Sequence, residues 1–186
     1  LPFLGMADSP WVGWKHFERL FSGPDFARLL SNTLILAFLN VVIAFPAPII
    51  VALMLNELRK QMLKKFIQTA IYVPHFLSWA IVSGLTYLLF ALDTGPITVL
   101  FNDLFGGSVN FLADPDWFRP LIITQTLWKS TGWGTIIYLA ALAGVDKQLY
   151  EAAMIDGASR LQQLRHVTIP AIIPTVIIMM ILNIGN

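Results

Sequence analysis

From Leu29 to Asn56 the chain carries no Asp, Glu, Lys or Arg, and that run constrains the fold more than any other feature. As a helix rising about 1.5 Å per residue, it is long enough to cross a hydrocarbon core about 30 Å thick. Three further stretches behave alike. Phe66 to Leu92 is uncharged, Pro120 to Val145 is interrupted only by Lys129, and Pro170 to Asn186 is uncharged again. The expected fold is therefore an all-α, multi-pass transmembrane helix bundle with spans at 29–56, 66–92, 120–145 and 170–186.

Composition supports this. Of the 186 residues, 56% are hydrophobic and 12% charged, half the roughly 25% charged residues of an average soluble domain. A net charge of +1 without a basic tract gives no reason to expect nucleic acid as a partner. The absence of cysteine excludes disulfides, thiolate catalysis and cysteine-ligated metals. The start at Leu1 and the stop at Asn186 inside an apolar run lead us to expect a fragment, truncated by at least one helix at each end.

Residues 1–28 mix Pro2, Pro10 and Pro24 with aromatic residues and charges of both signs. WVGWKHFERLF reads as a short amphipathic helix with Trp14, Phe17, Leu20 and Phe21 on one side. Trp11 and Trp14 suit a membrane interface, so 1–28 is expected as an extracytoplasmic, interfacial segment. Pro46 and Pro48 should kink the first span, and His75 beside Pro74 should be a hydrogen-bonded kink residue in the second. In the loop 93–119, Gly95-Pro96, Gly106-Gly107 and Asp114-Pro115 are turn signals. Its Phe101, Leu104, Phe105 and Phe111 suggest a short re-entrant or interfacial helix. Ala140 and Gly144 form a small-xxx-small pair, expected as a helix-packing face.

Charge orients the spans. The turn 57–65 holds Arg59, Lys60, Lys64 and Lys65, and 146–166 holds Lys147, Arg160 and Arg165. The loop 93–119 has only Arg119 against Asp93, Asp103, Asp114 and Asp116. An excess of Lys and Arg marks cytoplasmic loops, so 57–65 and 146–166 are expected in the cytoplasm.

The segment 146–170 then becomes the most informative polar stretch. Asp146 is a suitable N-cap for a helix through Asp156, and Gly157 stands where a left-handed residue would end it. Ser159 followed by Gln162 fits a capping box opening a second helix. Pro170 begins the next apolar run, near a first helical turn that tolerates its missing N–H. Ala152, Ala153 and Ala158 keep the elbow small-sided, so that another surface can approach.

Glu151-Ala152-Ala153, then Gly157 after three residues, then Val167-Thr168-Ile169-Pro170 after nine more, resemble the EAA loop of permeases in ABC importers. Val167 and Ile169 stand where that pattern has Ile and Leu. FPAPIIVALMLNELR, YVPHFLSWAIVSGL and WFRPLIITQTLWKSTGWGTIIYLAALAGVDKQLYEAAMIDGA look like the carbohydrate permeases of type I ABC importers. They look most like the branch serving polysaccharide-derived oligosaccharides, the alginate-type and lipoprotein-linked permeases. The resemblance covers residues 12–186 and implies a bacterial inner-membrane subunit that pairs with a second permease. It further implies two ATPase subunits and an extracytoplasmic solute-binding protein as partners. Glu151, Ala152, Ala153, Asp156, Gly157, Ala158 and Pro170 would then form the ATPase-coupling site. No G-x-x-x-x-G-K-[ST] occurs, so no cofactor is expected in this chain, with ATP and Mg²⁺ bound by the partner ATPase.

Lys129 is the other conspicuous group. A charge at mid-bilayer costs about 2.5–3.5 kcal/mol on insertion scales, so such a cation usually faces a bundle interior or a wet path. Gln125 lies one turn earlier on the same face, and Trp128 and Trp133 flank it with rings able to stack on sugars. These four, with Asn40, Tyr87 and Asn183, are candidates for the substrate path, with a cation suited to acidic sugars. A structural interhelix bond to the partner permease is the alternative role for Lys129. A rival function, an ion-coupled secondary transporter acting without an ATPase, should show intramembrane carboxylates, and the spans carry none. No catalytic triad, metal motif or enzyme signature is present.

Overall fold

The computed structural model describes residues 11–185; Pro2, Pro10 and Asn186, named above, lie outside the described residues. The chain divides into two compact units, residues 1–38 and 39–186. In the first, α1 (Lys15–Phe21) and α2 (Phe26–Leu39) carry aromatic residues close together in sequence. Trp14 and Phe17 pack at 5.0 Å between ring centroids, and Phe21 meets Phe26 edge-on at 5.0 Å. Every residue of α1 is exposed.

The second unit holds α3 (Pro46–Glu57), α4 (Gln61–Tyr72), α5 (Trp79–Phe90), α6 (Pro96–Phe105) and α7 (Pro115–Ala143). It continues with α8 (Lys147–Ile155), α9 (Arg160–Gln163) and α10 (Ile169–Ile184). No strand occurs among the described residues. Among the described residues, two helical runs are long and apolar enough to cross a membrane, Phe26–Glu57 and Arg160–Ile184. Each contains a five-residue π-helical turn, Asn40–Ala44 and Leu164–Thr168. Each turn ends two residues ahead of a proline that has no N–H to give, Pro46 or Pro170. At the first, the Phe45 N–H donates to the Asn40 carbonyl, five residues back, at 2.8 Å. The kink expected from Pro46 thus takes the form of a shifted hydrogen-bond register.

The helix expected over 66–92 is broken in its first half. A 3₁₀ turn, Val73–Phe76, follows α4, and α5 then departs at 104°. Pro74 removes a ladder donor, and Ser78, in extended conformation, caps α5 by accepting the Ile81 N–H at 3.3 Å. Both residues favour a break over a continuous helix.

Helix α7 has 29 residues, beginning before the expected position 120. Asp114 starts it by accepting the Asp116 N–H at 3.0 Å, and Pro115 occupies the first turn. It is polar along its middle, and those groups are used within the chain. Thr126 and Thr135 bond to carbonyls one turn back at 2.9 and 2.7 Å, and Gln125 reaches Thr86 of α5 at 2.9 Å. Gly132 lets the α4 backbone touch α7, and Gly134 does the same for the ring of Pro48 on α3. A Cβ on Gly132 would lie 1.9 Å from the Ile71 carbonyl oxygen, and one on Gly134 would lie 2.7 Å from Pro48 Cβ. Ala140 and Gly144, expected to form the packing face, are exposed within the chain; the close approaches lie two turns earlier.

Ala52, Tyr138, Leu142 and Ile172 form the buried core, flanked by Ile49, Leu53, Val176 and Met179. These residues lie near the end of α3, the end of α7 and the start of α10. The turn 57–65 and the polar segment 146–166 therefore sit at the same end of the bundle. On the loop 93–119, Gly95 and Pro96 open α6, and Gly106 closes it at φ 67°. Phe111 is buried there, edge-on to Phe90, Phe101 and Trp117.

The contact at Gly132 yields a contrast. Gly132→Ala forces helix backbones apart at a cost of about 1–3 kcal/mol and should lower the thermal midpoint of the full-length protein in detergent. Gly84→Ala meets nothing within 4 Å and should leave that midpoint unchanged or higher.

Candidate functional site: an elbow and a polar cleft

The elbow follows from its termini. Asp146 caps α8 by accepting the Gln148 N–H at 2.9 Å. At the far end the Ala158 N–H donates to the Ala153 carbonyl at 2.8 Å, and the Gly157 N–H to Met154 at 3.1 Å. This pair of bonds closes a helix around a left-handed residue, and Gly157 has φ 77°. Asp156 is the C-cap rather than the last helical residue. Ser159 and Gln162 make the reciprocal capping box: the Ser159 N–H donates to Gln162 Oε1 at 2.7 Å, and the Gln162 N–H to Ser159 Oγ.

Two residues the sequence did not single out tie the arms together. The Tyr150 and Thr168 hydroxyls bond at 2.9 Å, joining α8 to the π turn. Thr168, buried at 4% exposure, also reaches the Gln163 carbonyl, and Gln163 Nε2 donates to the Ala158 carbonyl at 2.9 Å. The elbow is thus a closed ring of bonds whose second arm runs without a loop into α10, through Pro170 in the first turn of that helix. Glu151, Ala152, Met154 and Ile155 are exposed on the outer arm, while Ala153 and Ala158 are half-buried.

Toward the other end of the bundle lies a cleft of about 380 Å³. Asn40, Trp133 and Asn183, three of the expected path residues, line it together with Thr126, Ser130 and Tyr138. The α7 members recur at i, i+4, i+7, i+8, i+11 and i+12, one stripe of a helix; that periodicity was the available signal for Thr126, Ser130 and Tyr138. The Tyr138 hydroxyl is buried without a hydrogen-bond partner among the described residues. No lining residue is charged.

The remaining candidates lie elsewhere. Gln125 is engaged with Thr86. Tyr87 is exposed on α5. Trp128 is exposed and sits about 160° around α7 from the middle of the cleft stripe, at about 100° per residue. Lys129 is half-buried, and its ammonium donates to the carbonyls of His75 and Leu77. At His75 the backbone carbonyl accepts that bond, while the ring stacks on Trp133 at 4.8 Å and 9°. Loss of the Tyr150 hydroxyl bond is worth about 0.5–1.5 kcal/mol. In Tyr150→Phe, amide exchange over 159–168 should quicken by about 2- to 13-fold, with Tyr87→Phe as the unaffected control.

The profile of the family described as binding-protein-dependent transport system inner membrane component matches residues 44–186. Protein LplB of Bacillus subtilis (strain 168) is 55% identical over 185 residues, covering 100% of this chain and 58% of LplB. The polygalacturonan/rhamnogalacturonan transport system permease protein YteP of the same organism is 54% identical, again over 100% of this chain and 58% of the relative. The chain therefore spans 58% of the length of these curated relatives. A bacterial ABC transporter involved in the import of the acidic polysaccharide alginate superposes with a TM-score of 0.90 at 39% identity, covering 95% of this chain and 62% of that one. The chain belongs to the binding-protein-dependent family of inner-membrane transport components, as the elbow 146–170 implied.

Proposed function

We propose that the chain is part of a permease subunit of an ATP-binding-cassette importer, that its cleft contributes to the path of a carbohydrate, and that a separate ATPase drives it through the elbow. The observation that carries this reading is the continuity of α9, the π turn and α10. A push on Glu151, Ala152 and Ala153 passes around Gly157, through the Tyr150–Thr168 bond and into a spanning helix. Rigid-body movement of a packed helix is a common form of such switching. ATP and Mg²⁺ would be bound by the ATPase. Residues 57–65 and 146–166, which share one end of the bundle and most of its Lys and Arg, would face the cytoplasm.

The cleft suits an uncharged, hydroxyl-rich ligand surface. Asn40, Asn183, Ser130 and Thr126 supply donors and acceptors, and Trp133 supplies a ring face. A buried hydroxyl such as that of Tyr138 is costly to leave unpaired, and a sugar hydroxyl or a water is a fitting partner. The described relatives fit a carbohydrate cargo: YteP is named for pectic polysaccharides. An alginate transporter has been solved with an alginate pentasaccharide-bound periplasmic protein, which supports a solute-binding protein as partner, with a second permease completing the path.

Purification of the full-length protein from its native membrane in mild detergent tests this. An ATPase and a second permease should co-purify, and Glu151→Trp or Gly157→Trp should lose the ATPase while keeping the permease partner. A protein isolated alone, indifferent to both changes, would contradict the reading and favour an ion-coupled carrier.

A further inference from the structure

Lys129 is the one charged side chain between Pro120 and Val145, and the cleft does not use it. Its surroundings assign it another task. The break between α4 and α5 ends a helix inside an apolar span, and a helix end leaves its last carbonyls without donors. Lipid offers none. The Lys129 ammonium donates to two carbonyls at the break, those of His75 at 2.9 Å and of Leu77. It also lies 5.4 Å from the ring centroid of Trp79, in the first turn of α5. One ammonium thus holds the end of the 3₁₀ turn, the linker and the start of α5. His75, whose carbonyl it binds, stacks its ring on Trp133, and Trp133 is a wall of the cleft.

We propose that Lys129 is a positioning residue: its ammonium clips the α4–α5 bend and, through the His75–Trp133 stack, sets the cleft wall, without reading the charge of the solute. The second half of this statement rests on the cleft being the substrate path; the first half does not. Ammonium suits the task because it offers three donors and no acceptor, so it satisfies several carbonyls at one point. A neutral side chain of the same length leaves them bare.

The sequence has no cysteine, so Thr69→Cys on α4 and Leu88→Cys on α5, both exposed, can carry a spin-label pair in the full-length assembled transporter. Lys129→Met should broaden or shift the distance distribution across the bend, and Lys129→Arg, which keeps the charge and the donors, should largely preserve it. The same variants are then assayed for uptake of oligogalacturonate and of its neutral methyl ester. Misplacing a wall of the site is expected to reduce both by about tenfold or more and by similar factors. Unchanged distances in Lys129→Met would overturn the clip. Selective loss of the acidic probe would make Lys129 a substrate contact instead. If Lys129→Met fails to insert, Lys129→Gln and Trp79→Ala, each removing part of the clip, must shift the same distances or the proposal fails. Should Ser130→Trp leave uptake intact while the distances still respond to Lys129, the path reading fails and the clip stands.

Discussion

The arrangement of the second unit depends on how closely other backbones approach helix α7. At Gly132 the α4 backbone comes so near that a single methyl group would collide with the Ile71 carbonyl, and at Gly134 the ring of Pro48 on α3 does the same. In lipid there is little hydrophobic gain from helix association, so dispersion contacts at small residues and interhelical hydrogen bonds carry it. Thr135, fully buried, adds a bond toward the Pro48 carbonyl. These contacts fix α3 and α4 against α7, the apolar core of Ala52, Tyr138, Leu142 and Ile172 adds α10, and together they set the places of the cleft and the elbow.

Those three features follow one another along the bundle. Asn40, Ser130 and Asn183 mark the cleft, Tyr138 and Met179 belong to both cleft and core, and Leu142 and Ile172 lead on to the elbow. The polarity of α7, which keeps it from counting as an apolar span, is what this stacking needs. One stripe of its hydroxyls bonds within the bundle or faces the cleft, and Lys129 satisfies carbonyls at the neighbouring break. The two π turns sit at different points of the long helical runs, the first near the middle and the second near the start, each just ahead of a proline. One borders the cleft and the other joins the elbow to α10.

The elbow was legible because its geometry is written in local chemistry. Asp146, Gly157 and the Ser159–Gln162 pair each act within a turn of their own position, so spacing alone located them. The cleft residues were legible only in part. Asn40, Trp133 and Asn183 come from three distant segments, and nothing local distinguishes them from Gln125 or Tyr87, which the fold assigns to other faces. Lys129 shows the limit most clearly: insertion energetics required a partner for its charge, yet only the 104° break at Pro74 and Ser78 revealed that backbone carbonyls supply it. The roles of Gly132 and Gly134 were hidden because a glycine in a helix carries no sign of what packs on it.

The most direct test of the account is the water accessibility of the two sides of α7. Ser130→Cys, in the cleft, and Trp128→Cys, on the opposite side, would each be placed in the full-length protein in native membrane vesicles and treated with a charged, membrane-impermeant thiol reagent. The account predicts that Ser130→Cys reacts and is protected by transported sugar, while Trp128→Cys stays unlabelled. Labelling of Trp128→Cys with Ser130→Cys inert would place the path on the other face and contradict it.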